Sequence, residues 1–147
     1  RLLYHNLEPL PPIPTVDTLK QLRKIARFTS NKLDYVSSLL LNKRKLATDY
    51  GLWRKAMALD EQSLNKMVSY NKRDVVLLEG VYNKIKKFMP THPHVGVMGG
   101  NNKLLTCRVC GSDHLKKDGV RVTASGIAKQ QVKCVKCGTY TTLPPEK

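Results

Sequence analysis

Residues 60–89, DEQSLNKMVSYNKRDVVLLEGVYNKIKKFM, organise the rest of the chain. Leu64, Met67, Val68, Val75, Leu78, Tyr82, Ile85 and Met89 recur at three- and four-residue spacing, which predicts one long amphipathic helix with a single buried stripe. Asp60 is placed to cap its start, Lys86 and Lys87 suit the negative end of its dipole, and Pro90 ends it. Inside it, Tyr70 and Asp74 stand four residues apart and so share a face. At about 100° per residue, Met67 and Leu78 fall beside that pair. A carboxylate bordering an apolar stripe is either a metal ligand or the partner of a nearby Lys or Arg, with Tyr70 as half-buried packing.

Upstream, the same periodicity predicts shorter helices. Asp17 reads as the N-cap of a helix through Leu19, Leu22, Ile25 and Ala26, with Lys20, Arg23, Lys24 and Arg27 on its wet side. Thr29 and Ser30 introduce a second helix over 31–41, whose stripe is Leu33, Val36, Leu39 and Leu40. The basic knot Lys43-Arg44-Lys45 follows, either a solvated turn or a phosphate-holding loop. Tyr50-Gly51-Leu52-Trp53 then leads into a short helix through Met57 and Leu59, with Trp53 read as core. Before these helices, Pro9, Pro11, Pro12 and Pro14 force an irregular, extended connector.

Composition narrows the function. The chain has 147 residues, 41% of them hydrophobic, with two Phe and one Trp, enough for a modest core. Its formal net charge is +15 and is spread through both halves, which draws in polyanions, nucleic acid first among them. No apolar run approaches the eighteen or so residues of a membrane span, and no signal peptide opens the sequence, so a cytoplasmic location is expected. The first residue is Arg, so the chain is expected to begin inside a longer polypeptide.

Past the long helix the sequence changes character. Pro90, Pro93 and the run Gly96-Val97-Met98-Gly99-Gly100-Asn101-Asn102 predict a flexible tether over 93–103, with His92 and His94 exposed on or beside it. Beyond lie Cys107-Arg108-Val109-Cys110-Gly111 and Cys134-Val135-Lys136-Cys137-Gly138, which hold all four cysteines of the chain. Two C-x-x-C-G knuckles match four-thiolate zinc binding, each glycine letting the backbone turn so that amides reach the sulfurs. A pair of disulfides fits poorly without a secretory signal. Residues 116–122 and 129–132 alternate as short strands, with Ser125-Gly126 as the turn. Together they predict a zinc ribbon over 104–147. Such a sheet has too few apolar residues to fold unaided, and one structural zinc would supply of the order of 10 kcal/mol or more. His114 is left out, because four cysteines complete a tetrahedron. The basic residues Lys116, Lys117, Arg121, Lys133 and Lys136, with Lys129, make the ribbon surface the expected nucleic-acid contact.

Tyr70-Asn71-Lys72-Arg73-Asp74-Val75 resembles the third motif, Y-x-x-x-D, of the proofreading-type 3′-5′ exonucleases with a ribonuclease H-like fold, the branch named for its four acidic residues and tyrosine (DEDDy). The wider sequence is similar to a bacteriophage and prophage subgroup of that superfamily. There Val16-Asp17-Thr18-Leu19, Ser30-Asn31-Lys32-Leu33-Asp34-Tyr35, Gly51-Leu52-Trp53 and the stretch from Tyr70 to Leu78 occur in this order, before a His-Pro linker and a zinc ribbon. The resemblance implies metal-dependent phosphodiester hydrolysis, with Asp74 helping to hold Mg²⁺ or Mn²⁺ and Tyr70 orienting the attacking water. If the chain is phage-encoded, its location is the cytoplasm of the bacterial host.

The sequence also departs from that pattern. The first family motif, D-x-E on a sheet strand, and the second, an Asp following an Asn, both precede the region present here, and no D-x-E occurs in the chain. One Asp cannot clamp two ions, so this polypeptide alone is expected to be inactive. The expected fold is a mainly α region over 1–92, the C-terminal helical part of an α/β ribonuclease H-like fold without its sheet, followed by the linker and the β zinc ribbon. The expected partners are nucleic acid, DNA before RNA, and the missing half as upstream sequence or a separate chain. A non-catalytic nucleic-acid adaptor and a structural piece of a phage assembly are the alternatives.

Overall fold

The computed structural model describes residues 3–9, 11, 13–101 and 105–143. Pro12 of the proline-rich connector, Asn102 of the glycine-asparagine run and the last four residues of the ribbon lie outside these. Among the described residues, four α-helices precede the sheet, after a 3-10 turn over Leu3–His5: α1 (Thr18–Ile25), α2 (Leu33–Leu41), α3 (Tyr50–Met57) and α4 (Glu61–Ile85). A three-stranded antiparallel sheet follows, with β1 (Leu115–Val122), β2 (Ala128–Cys134) and β3 (Tyr140–Thr142) in that spatial order. A helical region and a small cysteine-bearing sheet are thus the two parts of the molecule.

Short aspartates start three of the helices. The side chain of Asp17 accepts from the amide of Lys20 at 3.0 Å, Asp49 from Leu52 at 2.6 Å and Asp60 from Ser63 at 2.9 Å. Each satisfies one of the amides that a helix start leaves without an internal partner. Hydrogen bonds from the Ser63 side chain and amide hold the Asp60 carboxyl below its ordinary pKa. The α3–α4 junction is closed by a Schellman turn: the Asp60 amide donates to the Lys55 carbonyl at 3.1 Å and the Leu59 amide to Ala56 at 3.0 Å. Leu59 occupies the left-handed position of that turn at φ 64°, a conformation that glycine adopts without steric cost and a leucine does not.

The helical core is Leu22, Val36, Val81, Ile85 and Met89, with Ile25, Phe28, Leu40 and Leu41 packed around it. Here the expected stripe needs correction. The buried line of α4 runs through Leu77, Val81 and Ile85, whereas Leu64, Val68, Val75 and Leu78 of the expected stripe are exposed. The helix carries two apolar lines, and α1 and α2 cover only one of them. Tyr70 and Asp74 fall within about 60° of Leu77 at the helical period, so they sit on the covered face.

The segment expected to be a loose tether with exposed histidines is held on both sides. His92 is only 8% exposed: its Nε2 lies 2.7 Å from the Tyr82 hydroxyl, and the two rings are 5.8 Å apart. Burial raises the pKa of that phenol. His94 is half-buried, and its Nδ1 accepts the Val97 amide at 3.3 Å at the start of a π-helical turn over Val97–Asn101. The Val95 amide donates to the Arg108 carbonyl at 2.8 Å, and the Arg108 guanidinium donates to the Pro90 carbonyl at 3.0 Å. Gly96 is buried so closely that a Cβ there would stand 2.0 Å from Thr106 Oγ1. These contacts tie the end of α4 to the first cysteine knuckle.

Candidate metal centre and nucleic-acid interface

The two cysteine knuckles are built alike. In the first, the Cys107 amide donates to the Ser112 carbonyl at 2.7 Å and the Gly111 amide to Cys107 at 2.8 Å; in the second, Cys134 donates to Thr139 and Gly138 to Cys134, both at 2.9 Å. Both turns require a left-handed residue after the second cysteine, supplied by Gly111 at φ 70° and Gly138 at φ 74°. β2 carries Cys134 and the first knuckle precedes β1, so hairpin pairing of Leu115 with Cys134 brings the knuckles face to face.

All four Sγ atoms lie within 4.8 Å of one another, with Cys107 to Cys137 at 3.5 Å and Cys110 to Cys134 at 3.6 Å. Thiolates about 2.3 Å from a tetrahedral zinc stand about 3.8 Å apart, whereas a disulfide requires about 2.05 Å. The cysteines are free, and their spacing is that of a metal site. Burial pushes the Cys107 thiol up to about 12 and raises Cys110. Cys137 is also opposed by burial, but hydrogen bonding from the Thr139 side chain and backbone, together with its neighbouring thiols, brings it down to about 6. The cluster can hold a metal ion such as zinc, and its four sulfurs leave no open position. His114 stays outside, exposed beside Asp113 at 3.6 Å.

Tyr70 and Asp74 are brought together with a third residue. Lys45 Nζ lies 2.7 Å from Asp74 Oδ2 and 4.9 Å from the centre of the Tyr70 ring, with the Lys45 and Asp74 side chains 26% and 23% exposed. Burial works against the Lys45 charge, but bonds to Asp74 and Tyr70 outweigh it and hold its pKa above the ordinary 10.5. Asp34 Oδ1 accepts the Lys45 amide at 2.9 Å and Arg73 Nε donates to the Arg44 carbonyl at 3.2 Å, so the α2–α3 loop is pinned over α4. Trp53, expected as core, is 45% exposed and meets Tyr70 edge-on at 6.4 Å. Next to them lies an open cleft of about 390 Å³ lined by Leu46, Thr48, Leu52, Asn65 and Tyr70.

Asp74 Oδ1 is buried and has no hydrogen-bond partner among the described residues. That oxygen is the one free acceptor of the pair. It does not amount to a two-ion site, because Oδ2 is taken by an ammonium and the cysteines are the only group of three or more His, Cys, Asp or Glu at ligating distance among the described residues. The residues present therefore do not fit a catalytic Mg²⁺ or Mn²⁺ pair.

The expected basic contacts divide. Lys43 and Arg44 are exposed and Lys45 is engaged by Asp74. Lys116, Lys117, Arg121, Lys133 and Lys136 are all exposed on the sheet unit. No protein-family model, curated protein or solved structure matches the chain. Its chemistry rests on its own residues. Three of those were not legible beforehand: Lys45 as the Asp74 partner, Thr139 beside Cys137, and Tyr140 on a strand too short to show alternation.

No helix among the described residues is long and apolar enough to cross a membrane.

Proposed function

We propose that the chain is the nucleic-acid-binding, zinc-ribbon-bearing C-terminal part of a metal-dependent 3′-5′ exonuclease, DNA before RNA, whose first carboxylates come from outside these residues. The observation that carries this reading is that Tyr70 and Asp74 sit on the covered face of α4, with Asp74 Oδ1 buried and without a hydrogen-bond partner among the described residues. A buried acceptor without a donor is costly unless something completes it. The four cysteines hold one structural zinc that fixes the ribbon, and the excess of positive charge attracts the phosphate backbone. By itself the chain binds nucleic acid and hydrolyses nothing, since one carboxylate cannot hold two ions.

The test is nucleotide release from a 3′-labelled oligonucleotide in Mn²⁺. The chain alone should release none, while a polypeptide that also carries the D-x-E segment should degrade the strand and lose that activity on Asp74→Asn. A D-x-E-bearing protein that bound DNA and released no nucleotide would count against the reading.

The Lys45–Asp74 ion pair at 2.7 Å favours a second reading, a non-catalytic nucleic-acid adaptor. It gives salt-sensitive binding without Mg²⁺ or Mn²⁺ and no nucleotide release in any covalent context.

A further inference from the structure

We propose that one face of the sheet is a binding surface for single-stranded nucleic acid, with Lys116, Arg121, Lys129 and Lys133 on phosphates and Tyr140 stacking on a base. The inference rests on the nucleic-acid reading above and specifies its ligand.

The strand register decides which residues share that face. Along β2, Lys129, Gln131 and Lys133 project to one side and Ala128, Gln130, Val132 and Cys134 to the other. Val132 and Cys134 are fully buried, so theirs is the core side. On the opposite side, Arg121 stands across from Lys129, Lys116 across from Lys133, and Lys133 across from Tyr140. Lys117 pairs with Val132 and belongs to the other side, so among the expected ribbon cations it does not share this face, whereas Lys129 does.

Like charges directly opposite each other on a sheet are destabilising, and this face has two such pairs. Among the described residues none of the four cations forms an ion pair with a carboxylate, Asp118 at the irregular step of β1 included. A polyanion laid across the strands relieves both repulsions at once. Tyr140 is 50% exposed, and the Lys133 ammonium lies 5.4 Å from its ring centre. An open aromatic ring among backbone-binding cations is the arrangement by which proteins hold unpaired strands, because each base offers a face for stacking. In a duplex those faces are already stacked on neighbouring bases, so an exposed ring finds none to stack on.

The test is fluorescence anisotropy on the zinc-loaded full chain with three labelled probes of 20 units: oligo-dT, a duplex, and an abasic deoxyribose-phosphate strand. Oligo-dT should bind more tightly than the duplex. Reversal by Lys129→Glu with Lys133→Glu should weaken oligo-dT binding by about tenfold or more and flatten the salt dependence by about one unit per lost phosphate contact, while Lys84→Glu on α4 changes little. Tyr140→Leu should weaken oligo-dT by roughly five- to a hundredfold and leave the abasic strand unaffected, and Tyr140→Phe should bind as the parent does. Zinc content of each variant reports that the ribbon is intact. If Tyr140→Leu or the double reversal binds oligo-dT normally, or the duplex binds as tightly as the single strand, this face is not the surface proposed, although nucleic-acid binding by the chain stands. If the parent chain binds none of the probes, the nucleic-acid reading falls as well.

Discussion

The cysteine cluster and the Tyr70–Asp74 pair are both sites suggested by short motifs, and the fold treats them differently. Around the cysteines every ligand lies within one stretch of chain, and two matching turns bring four sulfurs within 4.8 Å. Around Asp74 no group of three or more ligating side chains forms among the described residues, and a lysine from the α2–α3 loop neutralises one of its oxygens at 2.7 Å. A site whose parts are all local assembles fully. One that lacks its partners takes the nearest counter-charge and leaves an acceptor over.

Stripping the metal should separate the two regions most sharply. The helical core (Leu22, Val36, Val81, Ile85, Met89) shares no residue with the ribbon core of Cys107, Val109 and Cys134. Chelation should therefore unfold β1–β3, at a cost of about 10 kcal/mol, while helical circular dichroism remains largely unchanged. Concerted loss of the helices would show that the regions are one cooperative unit.

A smaller effect is expected at the pair itself. Asp74→Ala leaves the Lys45 ammonium partly buried without its partner, which should cost about 1–3 kcal/mol in denaturant unfolding. A double-mutant cycle with Lys45→Ala should recover part of that loss as coupling. Because the Lys45 pKa is raised in the folded state, this contribution is complete below the ordinary 10.5 and disappears as pH climbs past the raised value. Absence of coupling would mean that the ion pair does nothing for the fold.

The seam between the regions can be probed at Gly96. A methyl group there meets Thr106 Oγ1 at 2.0 Å, so Gly96→Ala should destabilise by about 1–3 kcal/mol and disturb amide resonances on both sides of residue 96. If the resonances of the first knuckle alone respond, the segment does not couple the parts. The smallest change should be a gain. Leu59→Gly removes an exposed side chain from a left-handed position and should raise stability by about 1 kcal/mol at most. An unchanged or lower unfolding midpoint would indicate that Leu59 makes contacts worth keeping.

Legibility in the sequence followed the range of the interaction. The caps at Asp17 and Asp60 and the cysteine knuckles were readable because donor, acceptor and turn glycine lie within five residues. Which apolar line of α4 is buried was not, since Val81 and Ile85 win over Val68 and Val75 only through Leu22 of α1 and Val36 of α2 packing against them. His92 looked like an exposed linker histidine because its partner, Tyr82, is ten residues back on α4. β3 escaped notice because three residues show no alternation and are strand only by pairing with β2. Lys45 was legible as a basic loop residue, but its engagement with Asp74 depends on how that loop crosses α4.

The central claim is that, without carboxylates from outside these residues, the metal chemistry of this chain lies in its cysteines, while Lys45 holds one oxygen of Asp74 and the other stays too poorly supported to bind an ion. Paramagnetic broadening of amide resonances by Mn²⁺ on the zinc-loaded chain tests it directly. Stoichiometric Mn²⁺ should leave the signals around Tyr70 and Asp74 intact. Selective broadening there that vanishes in Asp74→Asn would contradict the claim.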